Sequence, residues 1–382
     1  MTTTTKEPPF TVGIEEEYLL VDLTSRDLDS DPPQALLEEC TALGGGQVTP
    51  EFLRSQIEVG TRVSRTIPEA LADLKRLRSI VVQVARRYGL APIAASTHPF
   101  ARTLAQKHTA KDRYVALAQE MQAAARRMLI CGMHVHVGID DDELRIDLMN
   151  QFAYFLPHLL ALSSSSPFWE GEHTGLKSFR LTIFSALPRT GLPGRFVSYG
   201  EYRRHIDTLI SNNLIQDTSK LWWDVRPSWR YPTLETRIMD CCTSVADAGC
   251  LAALVQSTLR MLYRLRRSNQ QWRTYADMLI LENRWRAMRY GTDEGLLDLA
   301  RGQLRPFPEL LEELIELVRE DAEALGCTAQ IESARDILAR GTSSHRQVAV
   351  YQTARKHGAS EREAVQAVVD WLIAETARGL DS

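Results

Sequence analysis

Glu15 and Glu17 stand two residues apart in the run Gly13-Ile14-Glu15-Glu16-Glu17-Tyr18. Side chains at i and i+2 of an extended strand leave the same face, so both carboxylates point one way. Held side by side they repel, and one resists ionising unless a cation lies between them. The pair is therefore either part of a metal site or a solvent-facing acidic edge. Val12, Ile14, Leu19, Leu20 and Val21 bracket it with apolar residues, which argues for a strand covered on at least one side. A second pair, Glu51 and Glu58, lies seven residues apart. An odd separation sends two side chains of a flat strand to opposite faces. These two reach one site only if a loop or bulge intervenes, with Glu51 before the strand and Glu58 within it.

Two further segments carry chemistry on strand-like patterns. In Cys131-Gly132-Met133-His134-Val135-His136-Val137-Gly138-Ile139, the apolar Cys131, Met133, Val135, Val137 and Ile139 line one face. Gly132, His134, His136 and Gly138 line the other, an alternation that predicts a strand. Glycines flanking two histidines leave room for something to approach the backbone, with a structural role for the imidazoles as the alternative. Glu235 and Arg237 also share a face. They form either a plain ion pair or a metal ligand beside a guanidinium that grips a phosphoryl oxygen. Glu15, Glu17, Glu51, Glu58, Glu235 and His134 together make an oxygen-rich donor set. Such a set suits Mg²⁺ or Mn²⁺, whereas zinc favours more nitrogen and sulfur. Arg54, Arg180 and Arg226 are candidates for holding substrate carboxylates, with surface pairing the alternative for each.

These groups need a sheet to position them. Strand patterns run over 10–21, 56–61, 91–96, 130–139, 221–225 and 233–242. Helical periodicity runs over 67–88, 112–129, 142–163, 199–211 and 245–267. From about residue 272 the pattern is almost wholly helical, as at Leu310, Leu311, Leu314, Leu317 and Val318. Strands in front and helices behind predict an α+β fold around one central sheet. Gly44-Gly45-Gly46 lacks the Lys and Ser/Thr of a phosphate loop and reads as a turn into the next strand.

Composition narrows the classes further. The 382 residues allow one to three domains. No linker divides them, so one catalytic domain is expected over 10–382, with the sheet in 10–270 and a helical part in 271–382. Residues 1–9 lack the apolar core of a secretory signal and read as a loose tail. A net charge of −4 with interspersed signs argues against bulk binding of nucleic acid, and Arg126-Arg127 and the arginines of 264–267 read as solvated helix faces. No run of 18 apolar residues exists, so no membrane span is expected. Six cysteines without C-x-x-C spacing fit free thiols in a reducing cytoplasm rather than a thiolate zinc site.

Other motifs stand between these segments: Thr97-His98-Pro99-Phe100, Ser165-Ser166-Pro167-Phe168-Trp169, Leu187-Pro188-Arg189-Thr190-Gly191 and Trp223-Asp224-Val225-Arg226-Pro227. In this order, with the glutamate and histidine runs above, the chain resembles the bacterial carboxylate–amine ligases of the YbdK type, also called glutamate–cysteine ligase type 2. The resemblance is carried by motifs from residue 12 to about 247 and by helical character beyond. Ser96 departs from it, standing where the pattern has glycine.

The resemblance implies a glutamine-synthetase-like catalytic fold, a curved and largely antiparallel sheet with helices on its convex side and Mg²⁺-bound ATP over its concave face. It implies metal ligands at Glu15, Glu17, Glu51, Glu58, His134 and Glu235, and an arginine facing the transferred phosphoryl group at Arg237. Glu235 and Arg237 are then the catalytic pair. The implied reaction joins a carboxylate, most simply glutamate, to an amine such as cysteine through an acyl phosphate, releasing ADP and phosphate. His136 is placed to help deprotonate the amine, with a structural hydrogen bond as the alternative. Related ligases imply a homodimer. Phosphotransfer to a nitrogen acceptor and an inactive Mg²⁺–nucleotide-binding regulator are the rival outcomes.

Overall fold

The structure is a computed structural model that describes residues 7–380. Seven strands build its main sheet: β1 (Val12–Asp22), β2 (Val48–Pro50), β3 (Gln56–Gly60), β4 (Leu90–Ile93), β5 (Met133–Gly138), β6 (Val225–Pro227) and β7 (Thr233–Thr236). Their order is β6-β7-β5-β1-β3-β2, and every pairing is antiparallel. Leu19 of β1 faces Gln56 of β3 on one side and Ile93 of β4 on the other, so β4 extends the β5 side of the sheet. The fold is α+β.

Alternation decides which face is core. Val12, Ile14, Tyr18 and Leu20 of β1, with Met133, Val135 and Val137 of β5, are buried in one apolar cluster with the helices Ile67–Arg87 and Val245–Arg267. The first helix starts at a reciprocal cap between Thr66 and Glu69 and ends with Arg86 and Arg87, the signs its dipole favours. The second is long and apolar enough to cross a membrane by composition, yet 83% of its most apolar window is buried inside the protein. Burial on all sides explains why it is apolar all round.

The opposite face changes character along its length. At the β4 end, Leu19, Val21, Ala91 and Ile93 cluster with Val365, Val368, Val369 and Leu372 of the helix Glu361–Thr376. Helices therefore cover part of both faces, not one side alone. The remainder of that face, from Gly13 to Glu17, is open.

Several expected elements are shorter or broken for local reasons. The strand expected over 233–242 ends at Thr236, because Arg237 N and Ile238 N both donate to Asp224 O, the two-to-one pattern of a bulge. The helix expected over 142–163 divides into Asp142–Phe152 and Leu156–Ser163 around a turn at Ala153–Phe155. Pro157 has no N–H to give, and its ring crowds the carbonyl of Ala153. The helix expected over 112–129 stops at Met121, followed by Gln122 at φ 48°. A two-stranded hairpin, Leu296–Asp298 with Gln303–Arg305, interrupts the helical C-terminal part. The triple glycine is a turn between the helix Gln34–Leu43 and β2, with Gly45 and Gly46 at positive φ. Of the expected loose tail, residues 1–6 lie outside the described residues; Pro8 is buried, and Glu7 pairs with Arg260 at 3.2 Å.

Candidate active site

Register brings the chemistry-bearing residues together. Across neighbouring strands Glu17 faces Glu58, Glu15 faces His134, His136 faces Glu235, and Glu235 faces Arg226. Facing residues on one side of a sheet sit within contact distance, so five strands converge on one patch. Glu51 precedes β3 in the connection that follows β2, which frees it from the alternation of the strand. Glu15, Glu17, Glu51, Glu58, His134, His136, Arg226, Glu235 and Arg237 all line a single cleft.

Charge is divided unevenly in that cleft. At one end, burial and the nearby Glu51 carboxylate push the Glu17 carboxyl up to about 7. Burial, then Glu15, Glu51 and Glu17, push Glu58 well above the usual carboxylate range. Glu17 Oε2 accepts from Gly132 N at 2.8 Å, Glu58 Oε1 from Thr49 Oγ1 at 3.3 Å, and Glu51 Oε2 from the Tyr114 hydroxyl at 3.2 Å. Neutral donors do not neutralise the Glu17 and Glu58 carboxylates.

At the other end the cations gather. Glu235 takes Arg226 Nε at 2.9 Å and Arg226 Nη2 at 3.1 Å, and Arg237 Nη1 closes on the same Oε1. Burial acts to raise the Glu235 carboxyl, but these guanidiniums outweigh it and hold the group far below its ordinary range. Glu15 sits between the two ends, with His134 Nδ1 at 3.1 Å and His136 Nε2 at 3.3 Å. Burial opposes its ionisation, yet the two imidazoles keep it well below the ordinary value. Burial and Arg237 hold His134 down to about 4, so its ring is neutral and able to act as a ligand.

The donor set fits a divalent cation. Among the described residues, the ligand atoms of Glu15, His136 and Glu235 lie within 4.8 Å of one another. His136 Nδ1 is engaged by Thr233 Oγ1 at 2.9 Å, while its buried Nε2 completes no hydrogen bond. His136 thus stands, with His134, beside the carboxylates of the first and last site strands. Glu235 is already clamped by two arginines, but a carboxylate offers about four lone-pair sites and three N–H contacts leave one open. Arg237 Nε is buried and unpartnered, an unused donor at the cleft.

Two expected substrate-holding arginines lie elsewhere. Arg54 pairs with Asp31 and lines a separate apolar groove beside Leu36 and Leu37. Arg180 is buried beside Gly132, outside the cleft lining, where it donates to Ile238 O at 3.3 Å and Arg237 O at 3.2 Å. Its charge still opposes the upward shift of the Glu17 carboxyl. His98 is likewise structural: Nδ1 accepts from Phe100 N and Ala101 N, and burial holds its ring down to about 3. Ser96 forms three hydrogen bonds, through its N, Oγ and O, to Ser165, Cys241 and Cys131.

Sequence reasoning passed over three supports. Glu16, on the core face between Ile14 and Tyr18, is paired with Arg78. Asp224 holds Arg284 at 2.7 Å, bringing the helix Asp277–Tyr290 to the strand that carries Arg226. Asp240 accepts from Ser165 N, Ser166 Oγ and Ser178 Oγ beneath the site. A charge at an apolar position of a strand pattern was the available signal for Glu16. None exists for Arg284, because the partner is sixty residues away in sequence.

Comparison with known proteins agrees with the geometry. The family described as Glutamate-cysteine ligase family 2 (GCS2) matches residues 11–370. A Rhodospirillum rubrum protein named "Putative glutamate--cysteine ligase 2" is 59% identical over 375 residues, covering 97% of this chain and 96% of the relative. A Paracoccus denitrificans protein of the same name is 52% identical, over 98% of this chain and 100% of the relative. Among solved structures, a Francisella tularensis glutamate–cysteine ligase in complex with AMP superposes with a TM-score of 0.67 at 15% identity, covering 99% of this chain and 91% of that one. A Pasteurella multocida bifunctional glutathione synthetase gives a TM-score of 0.69 at 13% identity, covering 96% of this chain and 52% of that one. At these identities the structural likeness bears on the fold. The family match and the close relatives, each spanning nearly the whole chain, show that this protein belongs to glutamate–cysteine ligase family 2.

Proposed function

We propose that this chain is an ATP-dependent, divalent-cation-requiring carboxylate–amine ligase, with glutamate and cysteine as the pair its family points to. The observation that carries the reading is the cleft's division: carboxylates at Glu17, Glu51 and Glu58, guanidiniums at Arg226 and Arg237, and imidazoles between. ATP chemistry needs both ends. A divalent cation, Mg²⁺ or Mn²⁺, would be held by Glu15, Glu17, Glu51, Glu58 and Glu235 with an imidazole, and when bound it neutralises repulsion between carboxylates and phosphates. The AMP bound by the Francisella tularensis relative supports nucleotide use.

In this reading the substrate carboxylate attacks the γ-phosphorus of ATP, breaking the bond to the bridging oxygen and releasing ADP. Arg237, held by Glu235 and with Nε free, faces the charge that develops on the transferring phosphoryl group. The amine then attacks the acyl phosphate, and phosphate leaves as the amide forms. With His134 as the imidazole ligand, His136 Nε2 is placed to take the proton the amine sheds, while Thr233 orients the ring through Nδ1. We also read residues 10–382 as one catalytic unit, since Arg284 of the helical part holds Asp224 of the sheet part. Six buried, unpaired cysteines fit a reducing compartment.

The test is ADP release by the purified protein with ATP and Mg²⁺ across a panel of acids and amines. Release that needs both an acid and an amine, with an amide and free phosphate as products, supports the ligase. A phosphorylated nitrogen acceptor instead identifies a phosphotransferase, and nucleotide binding without any turnover overturns the enzyme reading.

A further inference from the structure

Among the described residues, four lysine and arginine side chains line the cleft: Lys220, Arg226, Arg230 and Arg237. Three of them are already engaged. Arg226 has an acceptor on each of its nitrogens, Glu235 on Nε and Nη2 and the carbonyls of Ser219 and Leu221 on Nη1. Arg237 is tied to Glu235. Arg230 is exposed at the lip, with its guanidinium 5.2 Å from the centroid of the Tyr231 ring. Lys220 differs from these. It is half-buried, and its ammonium makes no hydrogen bond or ion pair with any described residue.

The backbone that carries this unpaired group is held from several sides. Ser219 O, Lys220 O and Leu221 O, three consecutive carbonyls, each accept from a guanidinium. Arg226 takes the outer two, and Arg189 Nε takes the middle one at 2.9 Å. Asp217 closes the turn Thr218–Lys220, accepting from Ser219 N at 2.7 Å through its side chain and from Lys220 N at 3.3 Å through its carbonyl. Arg189 sits at φ 59°, a left-handed conformation that a residue with a Cβ keeps only where its surroundings enforce it. Its carbonyl in turn accepts from Trp222 N at 2.8 Å, so Arg189 and the segment 220–222 clasp each other.

A solvated surface lysine needs no such scaffold. Here it fixes the root of a flexible stem in the cleft wall, beside two guanidiniums whose charge repels the ammonium. An anion from outside the protein removes that repulsion. Position says which anion. Glu15, Glu17 and Glu58, which would hold the cation that accompanies the phosphates, stand on β1 and β3. Lys220 lies by β6, at the opposite edge of the order β6-β7-β5-β1-β3-β2, on the far side of the Arg226 guanidinium from Glu235. The amine is placed at His136 on β5, and Glu235 and Arg226 stand between it and Lys220. The acid, whose reacting carboxylate goes to the Arg237 end, is the substrate left to meet it.

Resting on the ligase reading for the reaction, we propose that Lys220 binds a second, non-reacting carboxylate of the acid substrate. The cleft then selects dicarboxylic acids, with Arg189 and Arg226 positioning Lys220 through its backbone rather than touching the acid themselves.

The test is calorimetric titration of the full chain with L-glutamate and with 4-aminobutyrate, the same acid without its α-carboxylate. Both are titrated in the presence of Mg²⁺ and a non-hydrolysable ATP analogue. Wild type should bind glutamate about tenfold or more tighter than 4-aminobutyrate, the scale of one hydrogen bond between charged groups. Lys220→Gln should abolish that preference by weakening glutamate alone, and Lys220→Arg should keep part of it. Neither substitution removes a carbonyl contact of residues 219–221, and thermal unfolding checks that both variants fold. The Kd of the analogue should be the same in all three proteins. A wild type without the preference, or a folded Lys220→Gln that retains it, overturns the proposal. A raised analogue Kd with unchanged glutamate Kd also overturns it and assigns Lys220 to the phosphates, and a raised KM for the amine alone assigns it to the acceptor. Binding needs no turnover, so a preference lost in Lys220→Gln without ADP release by wild type under any amine defeats the ligase reading and leaves the Lys220 site standing.

Discussion

Arg78 Nη2 lies 2.6 Å from Glu16 Oε2, and neither side chain has any exposed surface. Glu16 therefore points into the core while its neighbours Glu15 and Glu17 point into the cleft. The Tyr18 hydroxyl donates to the same carboxylate at 2.5 Å, and Arg78 also donates to Cys242 O and Thr243 O, just beyond Arg237. One arginine thus ties β1 to the segment that follows Arg237. Arg78→Met leaves a buried carboxylate unpaired and should destabilise by about 3–5 kcal/mol. Adding Glu16→Leu should restore most of that loss. Urea unfolding of the single and double variants measures it, and a double variant no more stable than Arg78→Met removes the ion pair as the cause.

Glu235→Gln and Arg237→Ala should each lower ADP release about 10²-fold or more, because charge on the transferring phosphoryl group loses its match. Glu235→Gln also leaves Arg226 and Arg237 facing each other without the carboxylate that now separates them. Near-wild-type ADP release by either folded variant, with substrates present, withdraws both from the chemistry.

The Glu17 carboxyl should contribute a stability without metal that falls as pH rises toward neutrality. Glu17 has its carboxyl raised from an ordinary 4.5 to about 7 in the fold, and Glu58 is raised as well. A group whose folded pKa is raised contributes stability that is complete below 4.5 and lost as pH passes about 7. Glu15 is shifted the opposite way, so its contribution changes only in acid, outside this window. His98 and His134, held down to about 3 and about 4, shift stability the opposite way up to 6.5, so the Glu17 contribution is read as the difference in melting temperature between wild type and Glu17→Gln in chelator, which should fall as pH rises from 4.5 to about 7. An unchanged slope in that variant would assign the pH dependence elsewhere.

Gly132→Ala separates packing from ligand contact. Its Cβ would sit 2.4 Å from Arg180 Nη2, and Arg180 is buried while holding Arg237 O and Ile238 O. A loss of about 1–3 kcal/mol is expected from overpacking. Activity should fall with it as Arg237 shifts. Equal unfolding midpoints for Gly132→Ala and wild type would mean that Arg180 has room to move.

Much of the site was legible because period-two alternation is a local property. The strand with His134 and His136 shows it in nine consecutive residues, and the two-residue spacing of Glu15 and Glu17 sends them to one face wherever the strand lies. Glu51 and Glu58 needed an intervening loop to meet, and Glu51 does lie in the connection before β3. Element ends were less legible. Pro157 and the doubly used Asp224 carbonyl act through neighbours that a periodicity count does not weigh.

Residue types and spacing by themselves determined an α+β chain with an acidic, imidazole-bearing and guanidinium-bearing strand face, since those follow from side-chain chemistry and the two-residue repeat. Only the tertiary structure decided which of these groups share a cleft. Sheet order puts β5 between β1 and β7, so His136 stands between Glu15 and Glu235, while Arg54 and Arg180 are carried away from the cleft lining. It also decided that Glu16 pairs with Arg78 in the core while its neighbours line the cleft. Pairing partners far apart in sequence, such as Arg78 with Glu16 and Arg284 with Asp224, are chosen by the packing of helices on the sheet, which no local pattern encodes.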